Sequence, residues 1–126
     1  MAEEWAEGQP YPPETIVVRG GLMFFETLDK NIRKHARRWP DDPPTLSVGA
    51  YPGWTAEEIM LTALFIENHH VRLSTVGEIR ALRHDVVPFG RVPHCSLQLC
   101  APGSDALYTD LCGAFSDPTR NVRFPV

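Results

Sequence analysis

Apolar residues recur in this chain at two different periods, and a chain that carries both has few architectures open to it. From His94 to Cys100 the side chains alternate, with Cys95, Leu97 and Leu99 on one side and His94, Ser96 and Gln98 on the other. That is the period of a half-buried strand. Between Leu22 and Trp39, by contrast, Phe25, Leu28, Ile32, Ala36 and Trp39 return every three or four residues, the stripe of an amphipathic helix ended by Pro40. The β-branched run Thr15 to Arg19 stops at Gly20-Gly21, and Thr45 to Tyr51 closes on Pro52-Gly53, so both read as strands. Val71 to Ser74 and Val86-Val87 read as shorter ones. Thr55 with Glu58 forms a capping box that opens a helix over residues 56–67, apolar almost all round from Ile59 to Ile66. Thr75 with Glu78 forms a second box, opening a brief helix to about Arg83. Leu107, Leu111, Ala114 and Phe115 mark a last helix after Ser104. Strands and helices follow one another in no regular βαβ series. The expected class is therefore α+β: a single compact domain over residues 15–118, with a small mixed or antiparallel sheet and three to four helices. Residues 1–14, with four glutamates and three prolines, predict a flexible acidic leader, and residues 119–126 an irregular tail.

Composition narrows the functional classes. With 126 residues, 43% hydrophobic and 22% charged, the chain can bury one core and is not a disordered segment. No apolar run approaches the roughly 20 residues that span a bilayer, and Met1 to Glu7 hold no apolar signal segment, so no membrane partner is expected. The cysteines are Cys95, Cys100 and Cys112, an odd number without a C-x-x-C spacing, which predicts reduced thiols and a cytoplasmic protein. Each lies among apolar residues, where a thiol packs as a small hydrophobe. His69 and His70 are adjacent and diverge, and no carboxylate lies at a ligand spacing from a histidine, so neither a metal site nor a cofactor is expected.

Charge is unevenly spread. Lys30, Arg33, Lys34, Arg37 and Arg38 give residues 30–38 a charge of +5, which leaves −9 for the remainder of a chain of net charge −4. An acidic whole excludes a globally basic nucleic-acid binder, yet a local cationic patch can still hold phosphates, of RNA or of a nucleotide. The same residues also end a helix, where cations favour the macrodipole.

Three local patterns carry candidate chemistry. Arg19 stands at a strand end before Gly20 and Gly21, an arrangement that lets an anion approach the backbone beside a guanidinium. It resembles the arginine-bearing first strand of ADP-ribosyltransferase-like toxin domains. That resemblance implies a later Ser-Thr-Ser-like strand, for which Leu46-Ser47-Val48 is the nearest counterpart, and a catalytic glutamate. In His94-Cys95-Ser96-Leu97 the histidine and serine share one strand face. His94 can act as general acid or base, with Ser96 beside it and Gln98 orienting a ligand. This is similar to the H-x-S/T-x-apolar motif of two-histidine phosphoesterases, which use two copies; His70-Val71-Arg72-Leu73 is the second nearest. Leu73 to Arg80 resembles the start of a recognition helix in helix-turn-helix DNA binders.

Over residues 17–118 the chain also resembles a group of small uncharacterised proteins from GC-rich bacteria, through Arg19-Gly20-Gly21, Ser47 to Gly53, Arg72 to Arg80 and Pro93-His94-x-Ser96-Leu97. Its size would suit a toxin-like member of a two-gene toxin–antitoxin module. The functions expected are therefore a small enzyme on RNA or a nucleotide, with His94 and Ser96 catalytic and Arg19 on a phosphate, or a non-catalytic module. The module would pair with a second copy or a partner through the apolar helix at 56–67.

Overall fold

Strand formation begins where β-branched residues begin. Ile16–Gly20 (β1) pairs antiparallel with Thr45–Tyr51 (β2) on one side and with His70–Thr75 (β3) on the other. The structure, a computed structural model, describes residues 10–62, 70–90 and 93–120. β2 also pairs with His94–Gln98 (β5), which forms a hairpin with Asp85–Pro88 (β4), and Thr119–Arg120 (β6) adds a short edge to β3. The result is a six-stranded sheet of order β4-β5-β2-β1-β3-β6, antiparallel at every junction. With helices Phe25–Arg38 (α1), Ala56–Thr62 (α2), Val76–Ala81 (α3) and Asp105–Gly113 (α4), it makes a single compact α+β domain.

Alternation along the strands sorts the side chains between two faces. Val17, Leu46, Val48, Cys95 and Leu97 point to one face. There they pack with Leu28 and Ile32 of α1, Val76 and Ile79 of α3, and Leu111 of α4. Burying an aliphatic side chain of this size contributes about 1.5–3 kcal/mol. Val18, Tyr51 and Val71 point to the other face and meet Ile59 of α2. Among the described residues no helix is long and apolar enough to cross a membrane.

Several boundaries differ from expectation for local reasons. α1 starts at Phe25 rather than Leu22 because Met23 sits in the left-handed region (φ 59°) and Phe24 is extended. α3 stops at Ala81, with Arg83 left-handed (φ 71°). Both capping boxes exist, but only that of α2 is reciprocal. The Thr55 N–H donates to Glu58 Oε1 (3.0 Å) and the Glu58 N–H to Thr55 Oγ1 (3.2 Å). At α3 the Thr75 hydroxyl caps the Glu78 N–H, whereas the Glu78 carboxylate accepts from Ser74 Oγ (3.2 Å).

The expected leader needs correction at its end. Residues 1–9 lie outside the described residues, but Tyr11 is a core residue, 3% exposed, with its hydroxyl 2.8 Å from Cys95 Sγ. Its carbonyl accepts from Arg80 Nη1 (2.8 Å), and the next turn's Pro13 carbonyl accepts from the Gly77 N–H (2.8 Å). The segment is held because an aromatic ring fills the core and its backbone satisfies α3. Likewise Thr119 and Arg120 are strand, not irregular tail, while residues 121–126 lie outside the described residues. The helix at 56–67 is described only to Thr62. Within it Ile59 is fully buried and Leu61 is 63% exposed.

Candidate active site at the Ser47–His94 pair

Register fixes which side chains meet. β2 and β5 align Gly49 with His94 and Ser47 with Ser96, so these four share the face that α2 occupies at the far side of the sheet. His94 does not bond to Ser96, as the i, i+2 spacing suggested. Its Nε2 lies 3.2 Å from Oγ of Ser47, diagonally across the ladder. Its Nδ1 lies 2.6 Å from the carbonyl oxygen of Phe89, at the end of the β4–β5 hairpin. A carbonyl can only accept, so Nδ1 carries the proton; in the neutral ring Nε2 then holds the lone pair that faces the Ser47 hydroxyl. Serine, imidazole and an orienting acceptor in series form the nucleophile–base arrangement of covalent catalysis, with a carbonyl as the third member. Ser47 and His94 are both exposed, whereas Ser96 is buried at 3% and Gln98 pairs onward with Thr45 and Asp85.

Gly49 gives this pair a neighbour. A Cβ at Gly49 would stand 3.0 Å from Cε2 and 3.3 Å from the hydroxyl oxygen of Tyr51, so the Tyr51 ring lies back over the glycine along the Ser47–Gly49–Tyr51 face. Burial raises the pKa of the Tyr51 phenol, so it keeps its proton as a donor at neutral pH.

Arg19 reaches the same serine from elsewhere. The β1–β2 ladder ends at Val18 opposite Gly49, and Arg19 Nη1 donates to the Ser47 carbonyl (2.7 Å). Burial lowers the Arg19 pKa, and among the described residues its buried Nε has no hydrogen-bond partner and the side chain forms no ion pair. Arg19 is one residue out of phase with Val18, which aligns through Gly49 with His94, so it emerges on the face packed by α1, α3 and α4, opposite His94. The expectation that Arg19 and His94 would grip one ligand is therefore corrected: they bracket Ser47, one at its carbonyl and one at its hydroxyl. Gly20 and Gly21 are also spoken for. Gly20 pairs with Val71, and the Gly21 N–H donates to the His70 carbonyl (2.8 Å) rather than standing open to a ligand.

Two further expectations fail on topology. His70 lies three positions along β3 from Leu73, which aligns through Val18 and Gly49 with His94. The two histidines thus sit on opposite faces with β1 and β2 between them, and a two-histidine site does not assemble. The element preceding α3 is strand β3, joined at Thr75, so Leu73 to Arg80 is not a helix-turn-helix.

The surroundings of His94 are aromatic and cationic. The Phe89 ring lies 5.9 Å from that of His94 and 5.0 Å from that of Trp39, which follows α1, and Arg38 stacks over Trp39 at 4.6 Å. His35 Nε2 sits 2.9 Å from Asp42 Oδ2. Cys95, directly behind on the core face, is buried with its thiol pKa raised by burial, which suits packing rather than nucleophilic attack. Cys100 and Cys112 are free thiols as well, and no group of three or more potential metal ligands occurs among the described residues.

Comparison of the chain with the models of known families, with curated proteins and with solved structures finds no match.

Proposed function

We propose that this protein is a small enzyme that cleaves an ester by way of Ser47, with His94 as its general base. The observation that carries this is the relay Ser47 Oγ, His94 Nε2, His94 Nδ1–H, Phe89 carbonyl. In such a site the imidazole takes the Ser47 proton as Oγ bonds to the electrophilic carbon or phosphorus. The imidazolium, steadied by the Phe89 carbonyl, then returns the proton to the departing oxygen. Water repeats the sequence to free the serine. Arg19 is a positioning residue that fixes the Ser47 peptide from the opposite face.

The substrate class we infer is a phosphate ester, as in RNA or a nucleotide, supported by the arginines of the α1 C-terminus beside the aromatic rings that flank His94. Unchecked cleavage of RNA would arrest the cell that makes the enzyme, and on that ground we propose a toxin-like role. The purified protein is to be compared with S47A and H94A on aryl acetate, aryl phosphodiester and oligoribonucleotide substrates. The expected result is turnover of at least one of them, lost about a hundredfold or more in both variants. Full activity in S47A would remove Ser47 from the chemistry.

A second reading is a contact with another copy or a partner chain through α2. Leu61, a large apolar side chain 63% exposed on α2, favours it. Under this reading L61E lowers the measured mass of the particle in solution; an unchanged mass counts against it.

A further inference from the structure

Helix α1 turns its basic residues outward as one band. With 3.6 residues per turn, Lys30, Arg33, Lys34 and Arg37 fall within an arc of about 100° and run for about 10 Å along the axis. The buried Leu28 and Ile32 lie on the opposite side. All four cations are exposed.

The macrodipole favours the cations of the last turn, Arg37 and Arg38, but does not account for Lys30, Arg33 and Lys34 further up the helix. Lys30 and Lys34, Arg33 and Arg37, and Lys34 and Arg38 are like charges at i, i+4, and Lys30 with Arg33 and Lys34 with Arg37 are like charges at i, i+3; each such pair destabilises a helix. A surface serving solubility alone interleaves acids, and the chain holds 16 of them. Here, among the described residues, one acid pairs with the band: Asp29 with Arg33 at 2.7 Å. Lys30, Lys34 and Arg37 form no ion pair with a described residue. Repulsion concentrated on one face of a chain with net negative charge points to a polyanion that relieves it.

A second observation says which polyanion. The C-terminal end of the band leads directly onto half-buried rings. Trp39 carries Arg38 over its ring at 4.6 Å, lies 4.9 Å from the His35 ring and stands nearly perpendicular to Phe89, so a base stacks there by displacing Arg38. Cations that track a phosphate backbone, ending on aromatic faces, are the combination that holds single-stranded nucleic acid, whose bases are free to stack. A duplex keeps its bases paired and has no use for the rings. A lipid surface asks for exposed apolar side chains beneath the basic ones; α1 buries Leu28 and Ile32, and the exposed Phe24 and Phe25 stand at its N-terminal end, away from Arg37 and Trp39.

We infer that the outer face of α1, with Trp39 at its end, is a binding track for single-stranded RNA. The track leads by way of Phe89 toward His94, but it stands whether or not Ser47 is a nucleophile, because its readout is binding rather than turnover.

The test is fluorescence anisotropy of a labelled oligo(U) decamer against the full chain between 50 and 200 mM salt. Four phosphate contacts on a single strand give a slope near −3 in log K against log salt, so affinity falls about 50-fold across that range. K34Q/R37Q should weaken binding and about halve the slope. W39L should weaken it about fivefold or more with the slope kept, since stacking carries no charge. R83Q removes one charge away from α1 and should leave affinity within about twofold of wild type; circular dichroism of each variant establishes that it is folded. Absence of oligo(U) binding at 50 mM salt overturns the inference. So does an equal loss in R83Q, or tighter binding to a duplex of the same length or to vesicles containing phosphatidylserine.

Discussion

Truncating Tyr11 to alanine should cost this protein a large part of its stability, although the residue sits in what composition marks as a leader. The ring is 3% exposed and belongs to the main core cluster. Removing a buried aromatic ring costs about 3–5 kcal/mol, against about 5–15 kcal/mol of total stability for a domain. Tyr11→Phe separates packing from polarity. It keeps the ring and removes the hydroxyl that meets Cys95 Sγ at 2.8 Å. The Cys95 thiol retains its own bond to the Pro93 carbonyl (3.3 Å), so that donor stays paired and the loss should be about 1 kcal/mol. The bond from Arg80 to the Tyr11 carbonyl survives both changes because it uses the backbone. Urea unfolding followed by tryptophan fluorescence reads both, with the slope m watched for a change in cooperativity. A cost below about 1 kcal/mol for Tyr11→Ala would refute the reasoning, since a segment resting on the surface loses little when its ring is removed.

Three further outcomes follow from other parts of the molecule. His84 is buried and accepts the Cys100 N–H at Nδ1 (3.1 Å), and burial lowers its pKa below the usual 6.5. The unfolded chain therefore binds the proton more readily: the contribution of His84 is complete above about pH 6.5 and is lost as pH falls from there through the folded pKa. His84→Asn, whose carbonyl can accept the same bond, should flatten that acid-side slope in pH-dependent unfolding, and an unchanged slope contradicts it. Gly103→Ala places a Cβ 1.9 Å from the Tyr108 hydroxyl oxygen and 2.7 Å from Cζ, so it should destabilise by about 1–3 kcal/mol. Tyr108→Phe in the same chain should recover only part of that; a neutral Gly103→Ala in thermal melts would show that the loop yields. In cells, production of the wild-type chain should slow growth and degrade RNA while H94A is harmless, with growth curves and total RNA on gels as the readout; equal growth argues against a toxic activity.

The sequence is informative about elements and much less so about the site. Alternation in His94 to Gln98 and the stripe of α1 are local signals, decided by which face is buried, and both elements form, α1 from Phe25 rather than Leu22. Tyr11 is different: its ring is held by Cys95, 84 positions away, and no local pattern distinguishes it from the prolines and glutamates around it. The partner of His94 is hidden for the same reason. Ser96 is the serine that spacing offers, yet Ser47 is the one that touches the imidazole, 47 residues away, because β5 pairs with β2 and not with a strand nearer in sequence. A faint signal for Ser47 exists in its outward place between Leu46 and Val48 and in the missing side chain of Gly49, but it gains meaning only with the register. Arg19 shows the reverse failure. Its setting beside two glycines is real, and the ladder turns it to the face away from His94.

The most direct measurement is the mass of the intact protein, and of its peptides, after exposure to a fluorophosphonate at pH 8. A serine whose proton is taken by a neighbouring imidazole attacks phosphorus and expels fluoride, leaving a stable adduct. The account predicts one adduct, on Ser47, absent in S47A and slowed about a hundredfold or more in H94A while both variants remain folded. An unmodified Ser47, or a Ser47 labelled equally fast in H94A, would contradict the pairing of these two residues as nucleophile and base.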